Sequence, residues 1–322
     1  TNENLLANVN SFCSVVELPK FSKSILSLPL FHSFGQIVLL VCILNHISTI
    51  MINHFLPTTI LKAIVSHKAE VLPLVPTMFN VLITAAEKKD IDLNFIKFCI
   101  TGGASIPITL LEKIKTITNA RIIEGYGLTE TSPVISISDS HYCYKKYSVG
   151  KPLPGVQVTI DEDGEIIVRG ESVASRYWNN LEETKKSFTE DGYFRTGDIG
   201  KIDEDGFVFI TDRKKDLIIR AGENISPKII EDVLFQLQGI NDAAVFGVYD
   251  EKLGEAIYCA VESEDHIDIN YLRQVCKDKL PKHLVPEEFV IMPKLPRNAL
   301  GKILKFKLRD MFAVAEKVKE PV

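Results

Sequence analysis

Arg121-Ile122-Ile123-Glu124-Gly125-Tyr126-Gly127-Leu128-Thr129-Glu130 opens as an apolar, β-branched run of the kind that forms a buried strand. Two glycines, Gly125 and Gly127, then let the backbone turn sharply and approach a ligand closely. Thr129 and Glu130 follow at the strand's expected carboxyl end, the edge where open α/β sheets bind ligands. A hydroxyl there can bond a phosphate oxygen, and a carboxylate can hold a Mg²⁺ riding on that phosphate. An ordinary turn of the same composition is the competing reading, and the flanking chain has to decide.

Upstream of this stretch, apolar runs of strand length alternate with runs of helical period. A helix is expected over residues 1–14, with Leu5, Leu6, Val9 and Phe12 or Cys13 on one face. Strands are expected at 25–30, 48–52, 71–75, 96–100 and 121–124, and helices at 36–44, 57–66, 76–87 and 107–117. Such alternation implies a mainly parallel, doubly wound α/β sheet. After Pro133 the pattern changes. Asp163-Gly164, Asp191-Gly192 and Asp205-Gly206 punctuate short β-rich pieces at 156–160, 165–168 and 207–210, as hairpins do. A small antiparallel barrel-like subdomain or distorted sheet is expected over 146–212, interrupted by one helix at 181–188.

The charge run at 212–216 is either a solvated turn or a domain junction. Beyond it an α+β piece is expected: strands at 217–220, 243–248, 256–262 and 289–292, and helices at 226–237, 268–280 and 305–312. Residues 316–322 read as a frayed tail. The resulting division is 1–145 for part of a large α/β domain, 146–212 for the barrel-like piece and 213–322 for a small hinged α+β domain.

At 322 residues the chain can bury a large core, and 46% hydrophobic with 25% charged residues excludes a disordered class. A net charge of −5 argues against nucleic acid as a partner. Six scattered cysteines with no CxxC pair read as reduced thiols, in keeping with a cytoplasmic protein. Residues 24–61 lack Asp, Glu, Lys and Arg, but their longest purely apolar run, 37–44, falls well short of the roughly 20 residues of a membrane span. No basic segment precedes an apolar stretch at the start, so no signal peptide is expected.

Four other stretches could carry chemistry. Thr101-Gly102-Gly103-Ala104-Ser105 ends an expected strand with small residues that would admit a base or sugar; a tight βα turn is the alternative. Tyr193-Phe194-Arg195-Thr196-Gly197-Asp198 presents an exposed carboxylate suited to two ribose hydroxyls, or else a surface hairpin. Pro296-Arg297-Asn298-Ala299-Leu300-Gly301-Lys302 presents a lysine that could neutralise charge on a reacting carboxylate or phosphate, although Gly-Lys pairs are common. His32, among aromatics past a strand end, fits a core or capping residue as well as a catalyst.

Singly these signals are weak, but their order and spacing are not. With PLFHSFG (29–35), TGGASIP (101–107), EGYGLTETSP (124–133), VGKPLPG (149–155), YFRTGD (193–198), DRKKDLIIRAGENISP (212–227) and PRNALGKI (296–303), the chain resembles the adenylate-forming superfamily along essentially its whole length. That superfamily comprises acyl-CoA synthetases, luciferases and peptide-synthetase adenylation domains, and the nearest branch is the medium- to long-chain fatty acyl-CoA ligases. The resemblance implies ATP, Mg²⁺ and CoA as cofactors or cosubstrates, and a fatty or other carboxylic acid as substrate. It implies that Thr129 touches the α-phosphate and Glu130 ligates Mg²⁺. Gly102, Gly103, Ala104, Glu124, Gly125, Tyr126 and Gly127 would line the nucleotide and acyl pockets, and Asp198, with Arg213 beside it, would hold the ribose. Lys302 would bridge acyl carboxylate and phosphate, and Lys215 would be a hinge for the small domain. Ala221, Gly222, Glu223 and Asn224 would line the CoA tunnel. His32 would gate between acyl carboxylate and incoming thiol.

The family's Ser/Thr/Gly-rich phosphate loop has no counterpart in these residues, nor does roughly the first third of a family member. The expectation is therefore a fragment of a longer enzyme, weakly active or inactive alone, with an amino-terminal segment of the same enzyme as its missing partner and a sheet edge left exposed. An acceptor that is acyl carrier protein rather than CoA, a ligase that stops at acyl-AMP, and a non-catalytic adenylate- or CoA-binding descendant are the alternatives. No transmembrane segment is expected, and peripheral contact with a membrane is left open.

Overall fold

The computed structural model describes residues 1–141, 143–263, 267–298 and 301–317. It divides into two compact units, the first comprising Thr1–Thr196 and Gly200–Ile210, the second Gly197–Ile199 and Thr211–Val322.

The first unit opens with α1 (Asn2–Val15), β1 (Lys23–Leu26), α2 (Ser33–Leu44), β2 (Ser48–Met51), α3 (Pro57–His67) and β3 (Val71–Pro73). It continues with α4 (Pro76–Lys88), β4 (Phe98–Gly102), α5 (Ile108–Ile117), β5 (Arg121–Gly127), β6 (Val134–Asp139) and β7 (Lys151–Pro152). These strands form a seven-stranded sheet in the order β2-β1-β3-β4-β5-β6-β7. The pairs β1–β2, β1–β3, β3–β4 and β4–β5 are parallel, whereas β5–β6 and β6–β7 are antiparallel. Successive strand residues serve opposite faces. Leu72, Cys99 and Ile122 pack with Ile60, Phe79, Leu82 and Ile114 of α3, α4 and α5, while Val71, Phe98 and Ile123 pack with Val9, Phe12, Val38 and Val41 of α1 and α2.

Several local expectations change. The expected turn at Gly125–Gly127 is instead the end of β5, where Gly125 pairs with Ile137 and Tyr126 with Ser136, with a register shift at Tyr126/Gly127. The partner is β6, a strand the helical-period pattern had not called for. The first strand stops at Leu26, and α2 begins at Ser33 because His32 caps it. Leu6 is 49% exposed, not on the buried face of α1. Asn8 takes that role, fully buried, donating to the Val134 carbonyl (2.7 Å) and accepting from its N–H (3.1 Å).

A second, four-stranded sheet stands where the barrel-like piece was expected. It comprises β8 (Val156–Ile160), β9 (Glu165–Gly170), β10 (Phe194–Ile202) and β11 (Val208–Arg213), in the order β11-β10-β9-β8, with α6 (Leu181–Ser187) between β9 and β10. Asp163-Gly164 turns β8 into antiparallel β9.

The second unit holds β12 (Ile218–Arg220), β13 (Glu223–Ile225), α7 (Pro227–Leu234), β14 (Asp242–Asp250), β15 (Gly254–Glu262), α8 (Ile269–Lys279), β16 (Glu288–Met292) and α9 (Lys305–Lys317). Its strands run β13-β12-β15-β14, with β16 parallel to β15. Helix α7 ends at Leu234, three residues short of the expected end, and α9 continues to Lys317, into the stretch expected to fray. Residues 318–322 of that tail, and Ala299 and Leu300 of the lysine loop, lie outside the described residues.

Candidate active site

In the first unit the chemistry-bearing residues gather at the carboxyl ends of β4 and β5. Gly102 lies so near β5 that a Cβ there would sit 3.0 Å from the Gly125 carbonyl oxygen; one on Gly127 would sit 1.7 Å from the Pro133 carbonyl oxygen. Gly127 is required for close backbone approach rather than for a turn, and at Gly102 a side chain would be tightly crowded. Glu124 accepts from the Ile106 N–H (3.1 Å), tying down the loop that contains Gly103 and Ala104. Its carboxylate therefore has a structural task beside any ligand contact.

Past the end of β5, Thr129 and Glu130 lie in a single 3₁₀ turn. The Thr129 hydroxyl is 3.3 Å from that of Ser33, the first residue of α2, although 96 residues separate them. His32 caps that helix, its Nδ1 accepting from the Phe34 N–H (3.2 Å). The cap needs Nδ1 unprotonated, and burial pushes the imidazole pKa down in the same sense. The capping alternative for His32 is thus realised, and His32 and Ser33 also border a cavity of about 70 Å³ that reaches Gly102, Gly125 and Gly127. Glu130 accepts at Oε1 from the Tyr177 hydroxyl (3.0 Å). Burial, with Glu130 adding to it, pushes the Tyr177 pKa up to about 12, so the phenol stays a donor. Ser33 and Tyr177 were not singled out from sequence. Ser33 was legible only as the neighbour of His32, and nothing local marked Tyr177.

Among the described residues no group of three or more His, Cys, Asp or Glu could hold a metal ion. Glu130 nevertheless suits Mg²⁺, which is commonly held by one or two carboxylates together with substrate phosphates and water. Tyr177 engages only Oε1.

The second unit gathers charge. Asp198, expected to be exposed, is buried (3%) and pairs with Arg213 at 3.0 Å from Nε to Oδ1. The Lys302 pKa is lowered, chiefly by withdrawal of its ammonium from water and further by Arg213, with Asp198 and Asp216 opposing. Lys302 as a residue remains exposed. Its loop is anchored by Arg297, whose guanidinium donates to the Gly301 carbonyl (3.0 Å), Asp242 (2.8 Å) and Glu262 (2.9 Å). Lys215 offers its carbonyl to Arg309 of α9 (3.2 Å).

Ala221, Gly222, Glu223 and Asn224 are all exposed. They form a tight β12–β13 hairpin rather than a free loop, with Glu223 and Asn224 inside β13. Ala221 donates to the Leu253 carbonyl (2.6 Å), beside the Asp250/Gly254 end of the β14–β15 ladder. Arg297 grips the opposite end, the Asp242/Glu262 pair. Eight strand steps at about 3.3 Å put the two anchors roughly 26 Å apart.

Residues 1–178 match the family model for an AMP-binding enzyme, and residues 229–302 match the AMP-binding enzyme C-terminal domain. A long-chain-fatty-acid–CoA ligase of Bacillus subtilis is 33% identical over 330 residues, covering 96% of this chain and 58% of that protein. ATP-bound MatB from Rhodopseudomonas palustris matches with a TM-score of 0.90 at 30% identity, over 97% of this chain and 64% of that one. O-succinylbenzoate coenzyme A synthetase (MenE) from Bacillus subtilis, solved with ATP and magnesium ion, matches at 0.84 and 29%, over 96% and 66%. The chain thus spans 58% to 66% of the length of these proteins. The glycine-lined sheet edge, the Thr129–Glu130 turn after it and the matched models lead to one assignment: the chain belongs to the AMP-binding enzyme family.

Proposed function

We propose that this protein is an acid–thiol ligase that activates a fatty acid with Mg-ATP and passes the acyl group to CoA. The observation that carries the reading is the meeting of Thr129 with Ser33 at a cavity walled by Gly102, Gly125 and Gly127. It sets hydroxyls beside a surface open to a flat ligand. Relatives that are CoA ligases for a fatty acid and for O-succinylbenzoate support the reaction class.

In the first step a carboxylate oxygen attacks the α-phosphorus of ATP. The bond to the β-phosphate breaks, and pyrophosphate leaves with its electron pair. Thr129 donates to an α-phosphate oxygen, and the Tyr177 hydroxyl holds Glu130 in place. A Mg²⁺ on Glu130 supplies neutralisation of phosphate charge when bound. Asp198 accepts from the ribose hydroxyls while Arg213 fixes its carboxylate. Lys302 contributes a cation that offsets the developing negative charge. In the second step the CoA thiol gives up its proton to water, its sulfur bonds to the acyl carbon, and the bond from that carbon to the phosphate oxygen breaks as AMP leaves with the electron pair. The hairpin at Ala221–Asn224 guides the pantetheine arm, with Lys215 as the pivot. Six free cysteines fit a reducing, cytoplasmic setting. Among the described residues no helix is long and apolar enough to cross a membrane.

The test is pyrophosphate release by the full-length protein with Mg-ATP and a panel of carboxylic acids, followed by thioester formation with CoA. Release with fatty acids and a CoA thioester are expected. No release with any acid would sink the enzyme reading in favour of a binding protein. Release with transfer only to acyl carrier protein, or with no transfer, would replace CoA as the acceptor.

A further inference from the structure

The opposite end of the first unit's sheet carries a second concavity. Strands β1, β3 and β4 run parallel, and Lys23, Glu70 and Lys97 stand at or just before their amino ends. Gly102 and Gly125 stand at the other end. The three residues border a groove of about 360 Å³, within the range of small-molecule sites. It shares no lining residue with the cavity beside Ser33.

The groove's charge runs against that of the chain. The chain carries −5, whereas the groove brings together Lys23, Lys68 and Lys97, with Glu70 the one acid among its described lining residues. Glu70 is already engaged by Lys97. A local inversion of this kind concentrates anions.

Two rings complete the lining. Phe95 has the Lys68 ammonium over its face, 5.0 Å from the centroid. Phe21 stacks on His46, with centroids 5.9 Å and planes 13° apart, and is still 80% exposed. A ring left in water is a platform on which another flat ring gains by stacking. Ser22, between Phe21 and Lys23, also borders the groove. It is 4% exposed, and its Oγ has no hydrogen-bond partner among the described residues. Buried hydroxyls rarely stay unpaired. The carboxyl end of α3 accounts for Lys68, because cations neutralise a helix C-terminus. It does not account for Lys23, the rings or Ser22.

We propose that this groove binds a phosphate monoester carried on a flat ring, the chemistry of a mononucleotide, at a site separate from the reaction. The lysines take the phosphate, Phe21 takes the ring, and the Ser22 hydroxyl donates to a ligand oxygen. Every base presents a π-face, so little base specificity is expected.

On the full-length protein, photolabelling with 8-azido-AMP and peptide mapping locates bound nucleotide directly. Label on residues 21–23 or 94–97 is expected, beside any at the sheet's other edge. Protection of those peptides by AMP and by inorganic phosphate gives each affinity at this site alone. Lys23→Gln with Lys68→Gln should weaken both at least tenfold. Phe21→Ala should weaken AMP about tenfold and phosphate less than twofold. All three side chains are exposed, so the fold is not at stake. Label confined to residues 101–130 overturns the groove and leaves the ligase reading standing. Equal protection by AMP and ribose 5-phosphate overturns the role of the ring. Stronger protection by phosphatidic acid in phosphatidylcholine vesicles than by AMP, lost in the lysine variant, replaces the nucleotide by a lipid headgroup.

Discussion

The sheet edge of the first unit and the lysine loop of the second are built by opposite means. At the edge, shape does the organising: strands close enough to exclude a methyl group, a capped helix start and neutral hydroxyls. In the second unit, charge does it. Arg213 holds Asp198, Arg297 spans Asp242 and Glu262, and Lys305 pairs with Glu231 at 2.7 Å. A site defined by shape resists added atoms. A site defined by charge tolerates volume but follows ionisation.

The sharpest way to break that comparison is to add one carbon at the edge. Gly127→Ala must displace the Pro133 carbonyl, and the expected loss of stability is on the order of 4 kcal/mol or outright misfolding. Gly206→Ala, with nothing within 4 Å but a φ of +81°, should cost only about 1 kcal/mol. Equal urea midpoints for the two variants would show that close approach is not what organises the edge.

Removing charge in the second unit should instead spare the fold and cripple the chemistry. Lys302→Ala in the full-length protein should slow adenylation about 10²–10³-fold. Thioester formation from supplied acyl-adenylate should suffer much less, which stopped-flow separation of the two steps measures. Equal losses would contradict the role given to this lysine.

A smaller effect is expected where a neutral donor serves a charged group. Tyr177→Phe leaves Glu130 without its hydroxyl partner and should raise the Mg²⁺ needed for ATP binding about tenfold, read by titration of Mg²⁺ against bound nucleotide. An unchanged Mg²⁺ dependence would remove Tyr177 from the site.

The smallest is a displacement along the pH axis. With its pKa lowered, Lys302 loses its proton at a lower pH than an ordinary lysine. The alkaline limb of adenylation should therefore lie below 10.5. Lys302→Arg, if it retains turnover, should move that limb upward, because guanidinium stays charged there. An alkaline limb at the same pH in both proteins would assign it to another group.

Much of this was legible in the chain itself. Alternating apolar periods, with proline opening α3, α4 and α7, are local signals, and they placed most strands and helices within a few residues. The motifs around Thr101, Thr129, Asp198, Arg213 and Lys302 carried the family resemblance because each keeps its residue types in consecutive positions. Where the reading slipped, the deciding partner was remote. Gly125 and Gly127 look like turn residues until β6 arrives to pair with them, and Asp198 looks like a hairpin carboxylate until Arg213 covers it.

The sequence by itself therefore determined the α/β class, the succession of elements and the family resemblance, since all of these depend on neighbours along the chain. Only the tertiary structure decided that Ser33 meets Thr129, that Tyr177 supports Glu130, that Asn8 rather than Leu6 faces the sheet, and which residues line the cavity beside α2. Those outcomes depend on which distant surfaces are brought within a few ångströms of each other, and no local pattern encodes such a distance.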